Sequence, residues 1–375
     1  MPKTFDWLIV GAGFTGAVLA ERLATQSNKR VLLVDRRNHI AGNAFDEFDS
    51  QGVQIHRYGP HIFHTNSEKV WSYLSQFTEW RPYFHRVLAH IDGHFAPLPF
   101  NLDSIAQVFP SGFAAALTDK LIAHYGYGKR VTILAMREST DPEIKFLADF
   151  VYEKVFLNYT QKQWGCAPEA LDSGVTSRVP LLINRDSRYF QDRFQAMPKA
   201  GYTKMFERIL QHPNIELRLG EPWEKVEASA HFERVVFTGP IDSYFGYKHG
   251  ALPYRSLRFE FEQHDNRQQA VGTVNYPNEF EFTRTTEFSY LTGQKSTPST
   301  IVYEYPIEHI PGKTEPYYPV PNPETSQALA PYLDEARKLN GKVWFAGRLG
   351  DYAYYNMDQA CARALTLFEK KLASL

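Results

Sequence analysis

A short apolar run, Trp7 to Val10, leads directly into Gly11-Ala12-Gly13-Phe14-Thr15-Gly16, then an Ala/Leu-rich stretch to Ala24, then a second apolar run ending at Asp35. That order is strand, glycine turn, helix, strand, and few folds accommodate it. Gly11 makes the tight turn, Gly13 lets backbone approach a pyrophosphate, and Gly16 lets the helix pack closely on the strand. The helix N-terminus, with Thr15 in its first turn, faces the phosphates, and Asp35 can accept hydrogen bonds from a ribose. The spacing predicts a Rossmann-like dinucleotide site near the N-terminus.

The residues after Asp35 bear on which dinucleotide. Arg36-Arg37-Asn38-His39-Ile40-Ala41-Gly42-Asn43 resembles the second glycine signature of FAD-binding proteins of the glutathione-reductase type, with Ala41 in place of its first glycine. Arg36, Gly42 and Asn43 therefore join the candidate cofactor residues. Lys342 to Gly347 followed by Asn356 to Leu365 again reads strand, loop, helix. A helix N-terminus placed there can stabilise negative charge on a reduced flavin ring. The pattern favours FAD over NAD, and α/β texture at both chain ends predicts a discontinuous domain.

Between those ends, Asp103 to Thr160 is mainly helical in period, with Asp141-Pro142 as a helix start. Ser67 is an expected N-cap ahead of Val70, Leu74 and Phe77. Beyond Gly174 come short β-like runs, among them Ile215–Leu219, Arg234–Phe237 and Thr300–Tyr305, interrupted by one helix at Tyr202–Leu210. Pro311 to Pro323 reads as an irregular loop.

Charge and composition narrow the partners. With 41 Lys+Arg against 42 Asp+Glu, the net charge of −1 supplies no long-range field for nucleic acid or an anionic membrane. Cys166 and Cys361 are far apart, and His61 with His64 lacks a third ligand nearby, so neither a disulfide framework nor a metal site is expected. No apolar run reaches about 18 residues, which reads as a cytoplasmic protein without membrane insertion.

The aromatic share, 15%, is high, and the rings cluster: Tyr159 with Trp164, Tyr189-Phe190, Tyr317-Tyr318, and Tyr352 to Tyr355. Tyrosine stacks on a base or sugar and donates to phosphate, while Arg178, Arg284 and Arg348 can bind a diphosphate by charge-assisted bonds. Core packing and ordinary ion pairs are the competing readings of the same side chains. The residues alone lead to an FAD protein with a helical insert, a β-rich substrate region and a phosphate-bearing substrate.

Gly59-Pro-His-Ile-Phe-His-Thr65, Tyr159-Thr-Gln-Lys-Gln-Trp-Gly165, Arg178-Val-Pro180, Gly201-Tyr-Thr203, Thr238-Gly-Pro240, Pro316-Tyr-Tyr-Pro319 and Gly347-Arg-Leu-Gly350, taken together, resemble bacterial UDP-galactopyranose mutases. The likeness runs in order along nearly the whole chain. It implies a flavoenzyme, active with reduced FAD, that interconverts the pyranose and furanose forms of a nucleotide sugar by attack of flavin N5 on the anomeric carbon. Tyr159 and Trp164 would line the uridine site. Arg178, on a mobile loop, would close on the diphosphate with Arg284, Tyr189, Tyr318 and Tyr354, and Asn275 would lie near the nucleotide sugar. His61, Ile62, Arg348 and the run Tyr355, Asn356, Met357, Asp358, Gln359, Ala360 would face the flavin, with His64 close to N5 and the sugar.

The same resemblance implies an α/β fold: a discontinuous Rossmann-like FAD-binding domain (1–80, 200–245 and 335–375), a helical-bundle insert (101–172) and an antiparallel β-sheet substrate domain (81–100, 173–199 and 246–334). A homodimer or higher homo-oligomer is expected on the same basis. The family places Asn where this chain has His85, near the sugar, and Asp where it has Asn356. UDP-N-acetylgalactosamine, dTDP-fucose and dTDP-galactose are therefore alternative substrates to UDP-galactose. A true FAD oxidoreductase of the amine-oxidase-like group is the alternative chemistry.

Overall fold

The computed structural model describes residues 4–375 apart from 167, 169–179, 296, 321 and 340. Strand β1 (Thr4–Val10), helix α1 (Phe14–Gln26) and strand β2 (Val31–Asp35) form where the apolar pattern requires. Trp7, Leu8 and Ile9 are fully buried, as in a parallel strand covered on both faces. β1 pairs in parallel with β2 on one side and His231–Phe237 on the other. Ile215–Leu219 and Val343–Phe345 complete a five-stranded parallel sheet, and the C-terminal helix Met357–Leu367 packs on α1. This is the Rossmann-like α/β arrangement that the glycine turn predicts.

Where β1 ends, backbone meets backbone. A Cβ on Gly16 would lie 1.9 Å from the Gly11 carbonyl oxygen, and one on Gly42 would lie 2.9 Å from Gly13 Cα. A Cβ on Gly11 would lie 2.1 Å from the Thr238 hydroxyl oxygen, and its φ of +104° is one that side-chain-bearing residues rarely adopt.

Helices occupy Leu102–Val108, Ser111–Tyr125, Ile133–Arg137, Pro142–Val151 and Asn158–Trp164, with a π-helical stretch at Tyr152–Leu157. The Asn101 and Asp141 side chains accept backbone N–H bonds at two of their starts, relieving donors that a helix end leaves free. Ile144, Leu147 and Val151 share one core with Leu117 and Leu121.

A seven-stranded sheet runs in the order Tyr318–Pro319, Tyr254–His264, Ser299–Glu308, Arg284–Glu287, Thr273–Asn275, Val87–Ile91, His94–Leu98. Antiparallel pairing was the expectation, but Thr273–Asn275 and Val87–Ile91 pair in parallel. These two strands are far apart in the chain, so no hairpin sets their direction. A three-stranded sheet joins Phe63–Thr65, Phe194–Pro198 and Trp80–Pro82.

The β-rich region also holds more helix than the single one expected, chiefly Pro323–Lys338. Asn322 starts it by accepting the Thr325 N–H at 2.8 Å. Of its described residues only Thr325 and Tyr332 are buried, and Pro331 lies inside it, so its apolar period is too faint to read.

Two measurements check this packing. Gly16→Ala should destabilise the fold by about 1–3 kcal/mol through overpacking, whereas Gly112→Ala, with nothing within 4 Å of the added Cβ, should be neutral or slightly stabilising. Equal melting temperatures for the two variants would contradict the close-packed turn. The second concerns His56, which is 1% exposed and whose Nδ1 accepts the His61 backbone N–H at 3.0 Å. Burial pushes its pKa down to about 3. The folded chain keeps the ring neutral while the unfolded chain takes up a proton below about pH 6.5, so acid favours unfolding, by up to about 1.4 kcal/mol per pH unit from this residue. Urea unfolding at about pH 7 and about pH 5 should therefore show a smaller acid loss of stability for His56→Gln than for the parent chain. An unchanged acid loss would contradict the neutral buried ring.

Candidate active site

Residues of the seven-stranded sheet, the helical segment, the Tyr58–Ile62 loop, the Phe63–Thr65 strand and the start of the C-terminal helix line one cavity of about 650 Å³. Strand register builds one of its walls. Asn275 pairs with Arg284, and Arg284 with Glu304, across three neighbouring strands. Glu304 is 1% exposed, and Arg284 Nε and Nη2 donate to its Oε2 at 3.0 and 2.9 Å. Burial works against the Arg284 charge, but Glu304, Tyr159 and Tyr318 outweigh it and hold the guanidinium pKa well above its ordinary value. Glu304 Oε1 and Asn275 Oδ1 are buried with no hydrogen-bond partner among the described residues. Two unsatisfied acceptors in one cavity wall call for donors on a bound molecule or water.

Tyr159, Tyr318 and Tyr354 line the cavity beside that wall. The Tyr318 and Tyr354 ring centres are 5.4 Å apart, and Trp164 packs against them at 6.0 and 5.6 Å. Burial pushes the Tyr159 and Tyr318 phenols up, so both remain neutral hydroxyl donors. His85 is 3% exposed, with Nδ1 3.0 Å from the Tyr83 hydroxyl and its ring 5.9 Å from Tyr189. Burial, aided by Arg284, pushes its pKa down to about 3, which keeps it neutral.

His61 and Ile62 line the cavity, and His61 Nδ1–H donates to the Gly59 carbonyl at 2.8 Å. Burial pushes the His61 pKa down to about 3. Asn356, Met357 and Gln359 bring the N-terminus of the C-terminal helix to the cavity, where its partial positive charge favours anions. Gln359 Oε1 accepts the Asn356 N–H at 2.9 Å, and Asp358 accepts the Thr65 hydroxyl at 2.9 Å. Tyr355 and Ala360 flank the same helix start. Arg348 lines the cavity while donating to the Tyr355 carbonyl at 3.1 and 2.7 Å and to the Tyr317 carbonyl at 3.2 Å.

Gly11, Gly13, Gly16 and Gly42 meet at the turn, and Thr15 sits against Gly347. Asp35 accepts backbone N–H bonds from Ala12 at 2.8 Å and Arg37 at 2.9 Å, which leaves further carboxylate lone pairs. Arg36 is mostly exposed and pairs with Glu315. Its half-buried neighbour Arg37 also pairs with Glu315, donates to Asn43 and lies over the Tyr58 ring. Arg178 lies outside the described residues. Among those described, no three His, Cys, Asp or Glu side chains group as a metal site, and no helix is long and apolar enough to cross a membrane.

Sequence reasoning missed Glu304, Arg130 and Asp192, and named Phe190 only as one ring of an aromatic cluster; all four line the cavity. One signal was present: a glutamate between two tyrosines inside the β-like run Thr300–Tyr305 is a carboxylate that a sheet must either expose or pair.

Comparison with known proteins agrees with this geometry. Residues 154–354 match the family model described as UDP-galactopyranose mutase, and residues 9–77 match one described as NAD(P)-binding Rossmann-like domain. The chain is 37% identical over 372 residues to a Klebsiella pneumoniae protein named "Probable UDP-galactopyranose mutase", covering 98% of this chain and 95% of the relative. It is 35% identical over 366 residues to the dTDP-fucopyranose mutase of Escherichia coli, covering 96% of each. The fold matches a crystal structure of reduced UDP-galactopyranose mutase with a TM-score of 0.71 at 15% identity, over 100% of this chain and 96% of the other. The chain belongs to the UDP-galactopyranose mutase family.

Proposed function

We propose that this isomerase interconverts UDP-galactopyranose and UDP-galactofuranose with FAD bound along the glycine turn and in its reduced state. The observation that carries the reading is the row Asn275, Arg284 and Glu304, set by register in the wall of a cavity that three tyrosines and the N-terminus of the C-terminal helix also line. The residues fit the cofactor: a Cβ at Gly42 would fall within 2.9 Å of Gly13 Cα, so the turn stays bare of side chains where a pyrophosphate must approach. Reduced flavin supplies the nucleophile for the anomeric carbon and is regenerated, so the isomerisation involves no net redox change.

The chain's own groups handle the leaving nucleotide. The Arg284 guanidinium, anchored on one edge by Glu304, offers its remaining donors to the diphosphate, and the Tyr318 and Tyr354 hydroxyls add neutral donors. Charge developing on departing UDP meets preorganised donors in a half-enclosed site, where they are worth more than in water. Arg178 is the second cation of this clamp, and Trp164 with Tyr159 stacks against the uracil. The Glu304–Arg284 pair keeps the cavity wall close to neutral before substrate arrives, which limits the charge buried in the empty site.

Three further assignments accompany this reading: the three-part domain division given above, a cytoplasmic setting, and a homodimer or higher homo-oligomer. A second substrate class is also supported, because the relative named dTDP-fucopyranose mutase is nearly as similar, at 35%, as the 37% relative named for UDP-galactose.

Dithionite-reduced enzyme incubated with UDP-galactofuranose and followed by chromatography should yield UDP-galactopyranose without stoichiometric consumption of reductant. Conversion of dTDP-fucofuranose in its place would overturn the galactose assignment, and a stoichiometric redox product would overturn the isomerase chemistry. Arg284→Ala should keep its flavin colour and lose about 10²–10³ in kcat. Near-parental turnover would overturn the clamp.

A further inference from the structure

His64 carries a feature that the reading above leaves unused. Its Nδ1–H donates to Asp192 Oδ2 at 2.8 Å, and its ring stacks on Phe190 with centroids 3.7 Å apart and planes inclined by 13°. The other Asp192 oxygen accepts the Asn66 side-chain N–H at 2.6 Å, and the Asp192 carbonyl accepts the Gln195 side-chain N–H at 2.8 Å. The carboxylate is therefore fixed from two sides, and the imidazole is fixed by the carboxylate and the phenyl face. His64, Asp192, Phe190 and Asn66 all line the cavity. With Nδ1 engaged, Nε2 is the ring nitrogen left for a bound molecule.

Pyranose-to-furanose conversion needs such a group on simple chemical grounds. When the C1–O5 bond breaks, its electron pair leaves with O5, which must take a proton. When O4 then gives an electron pair to C1, its hydroxyl must lose one. One proton moves between two sugar oxygens in each turnover, and among the described residues of the wall beside the diphosphate Tyr159 and Tyr318 are held neutral by burial, Arg284 is permanently charged, and the Glu304 carboxylate is engaged as its counter-ion. His85 is excluded by its own setting, since full burial holds its ring neutral.

We propose that His64 and Asp192 form a proton relay, in which His64 Nε2 gives a proton to O5 as the pyranose opens and takes one from O4 as the furanose closes. The proposal rests on the isomerase reading of the preceding section. His64 is a catalytic residue, and Asp192 is a positioning residue that orients the ring and stabilises its charged form, as a carboxylate behind an imidazole does in acid–base sites generally. The His64 hydrogen bond correspondingly holds the Asp192 carboxyl below its ordinary range. The other ionisable groups around the pair are Arg130, which acts on Asp192 from the strand Arg130–Thr132, neutral His85, Arg193 paired with Glu68, and Asp358 bonded to Thr65.

Asp192→Asn should lower kcat of the reduced holoenzyme by about tenfold or more with little change in KM, and Asp192→Glu should restore much of it. His64→Gln should lower kcat by about a hundredfold, while UDP affinity, read from quenching of tryptophan fluorescence, stays near that of the parent. Near-parental kcat in His64→Gln would overturn the relay, as would a loss in Asp192→Asn that lies in KM rather than kcat or that Asp192→Glu does not rescue. A parent enzyme that converts no nucleotide sugar would instead overturn the isomerase reading on which the relay rests.

Discussion

At the end of β1 there is no room for side chains, and the positions of distant segments follow from that. Gly16 rests on the Gly11 carbonyl, Gly11 on the Thr238 hydroxyl, Gly42 on Gly13, and Gly347 on Thr15. Segments near residues 11, 42, 238 and 347 are thereby brought within van der Waals distance of one another, although they span most of the chain. The Thr238 hydroxyl donates to the Val10 carbonyl at 2.7 Å, adding a directional bond to the close packing. Because the C-terminal strand and helix close on the same junction, the helix start that reaches the cavity is located by the glycine turn.

The second organising element is electrostatic and local. A chain with net charge −1 has no global field to gather an anionic substrate, so binding depends on a few preorganised groups. In the proposed reading Arg284 is the central one: Glu304 fixes its orientation, and the neighbouring tyrosines supply donors without adding charge. Three histidines of this region, His56, His61 and His85, are held neutral by burial. Among the described residues, His64 is the cavity histidine bonded to a carboxylate. Environments that separate neighbouring imidazoles in this way divide acid–base work from packing.

Local pattern in the sequence carried the N-terminal strand–turn–helix–strand unit, the helices between residues 102 and 164, and the closing C-terminal helix, because each is encoded by residues adjacent in the chain. The helix Pro323–Lys338 was not legible, since few of its residues are buried and a proline interrupts it. The site divided along similar lines. Gly11, Gly13 and Gly42 announce themselves, as do the tyrosine clusters. Glu304 and Asp192 do not, because what makes each a site residue is a partner across a sheet or a loop: Arg284 by strand register, His64 by the packing of residues 189–194 beside the Phe63–Thr65 strand. The aromatic excess is also clearer: some rings form the cavity wall, while others, such as the stacked Trp71, Trp80 and Phe194, brace the three-stranded sheet.

The central claim is that one cavity joins the glycine-turn cofactor to a diphosphate held by Arg284. A crystal structure of the reduced enzyme soaked with UDP-galactose tests it most directly. The expected result places the diphosphate on the free edge of the Arg284 guanidinium within reach of the Tyr318 and Tyr354 hydroxyls, with the anomeric carbon toward the flavin and the sugar hydroxyls on Asn275. A diphosphate bound elsewhere, or a sugar turned away from the flavin, would contradict the account.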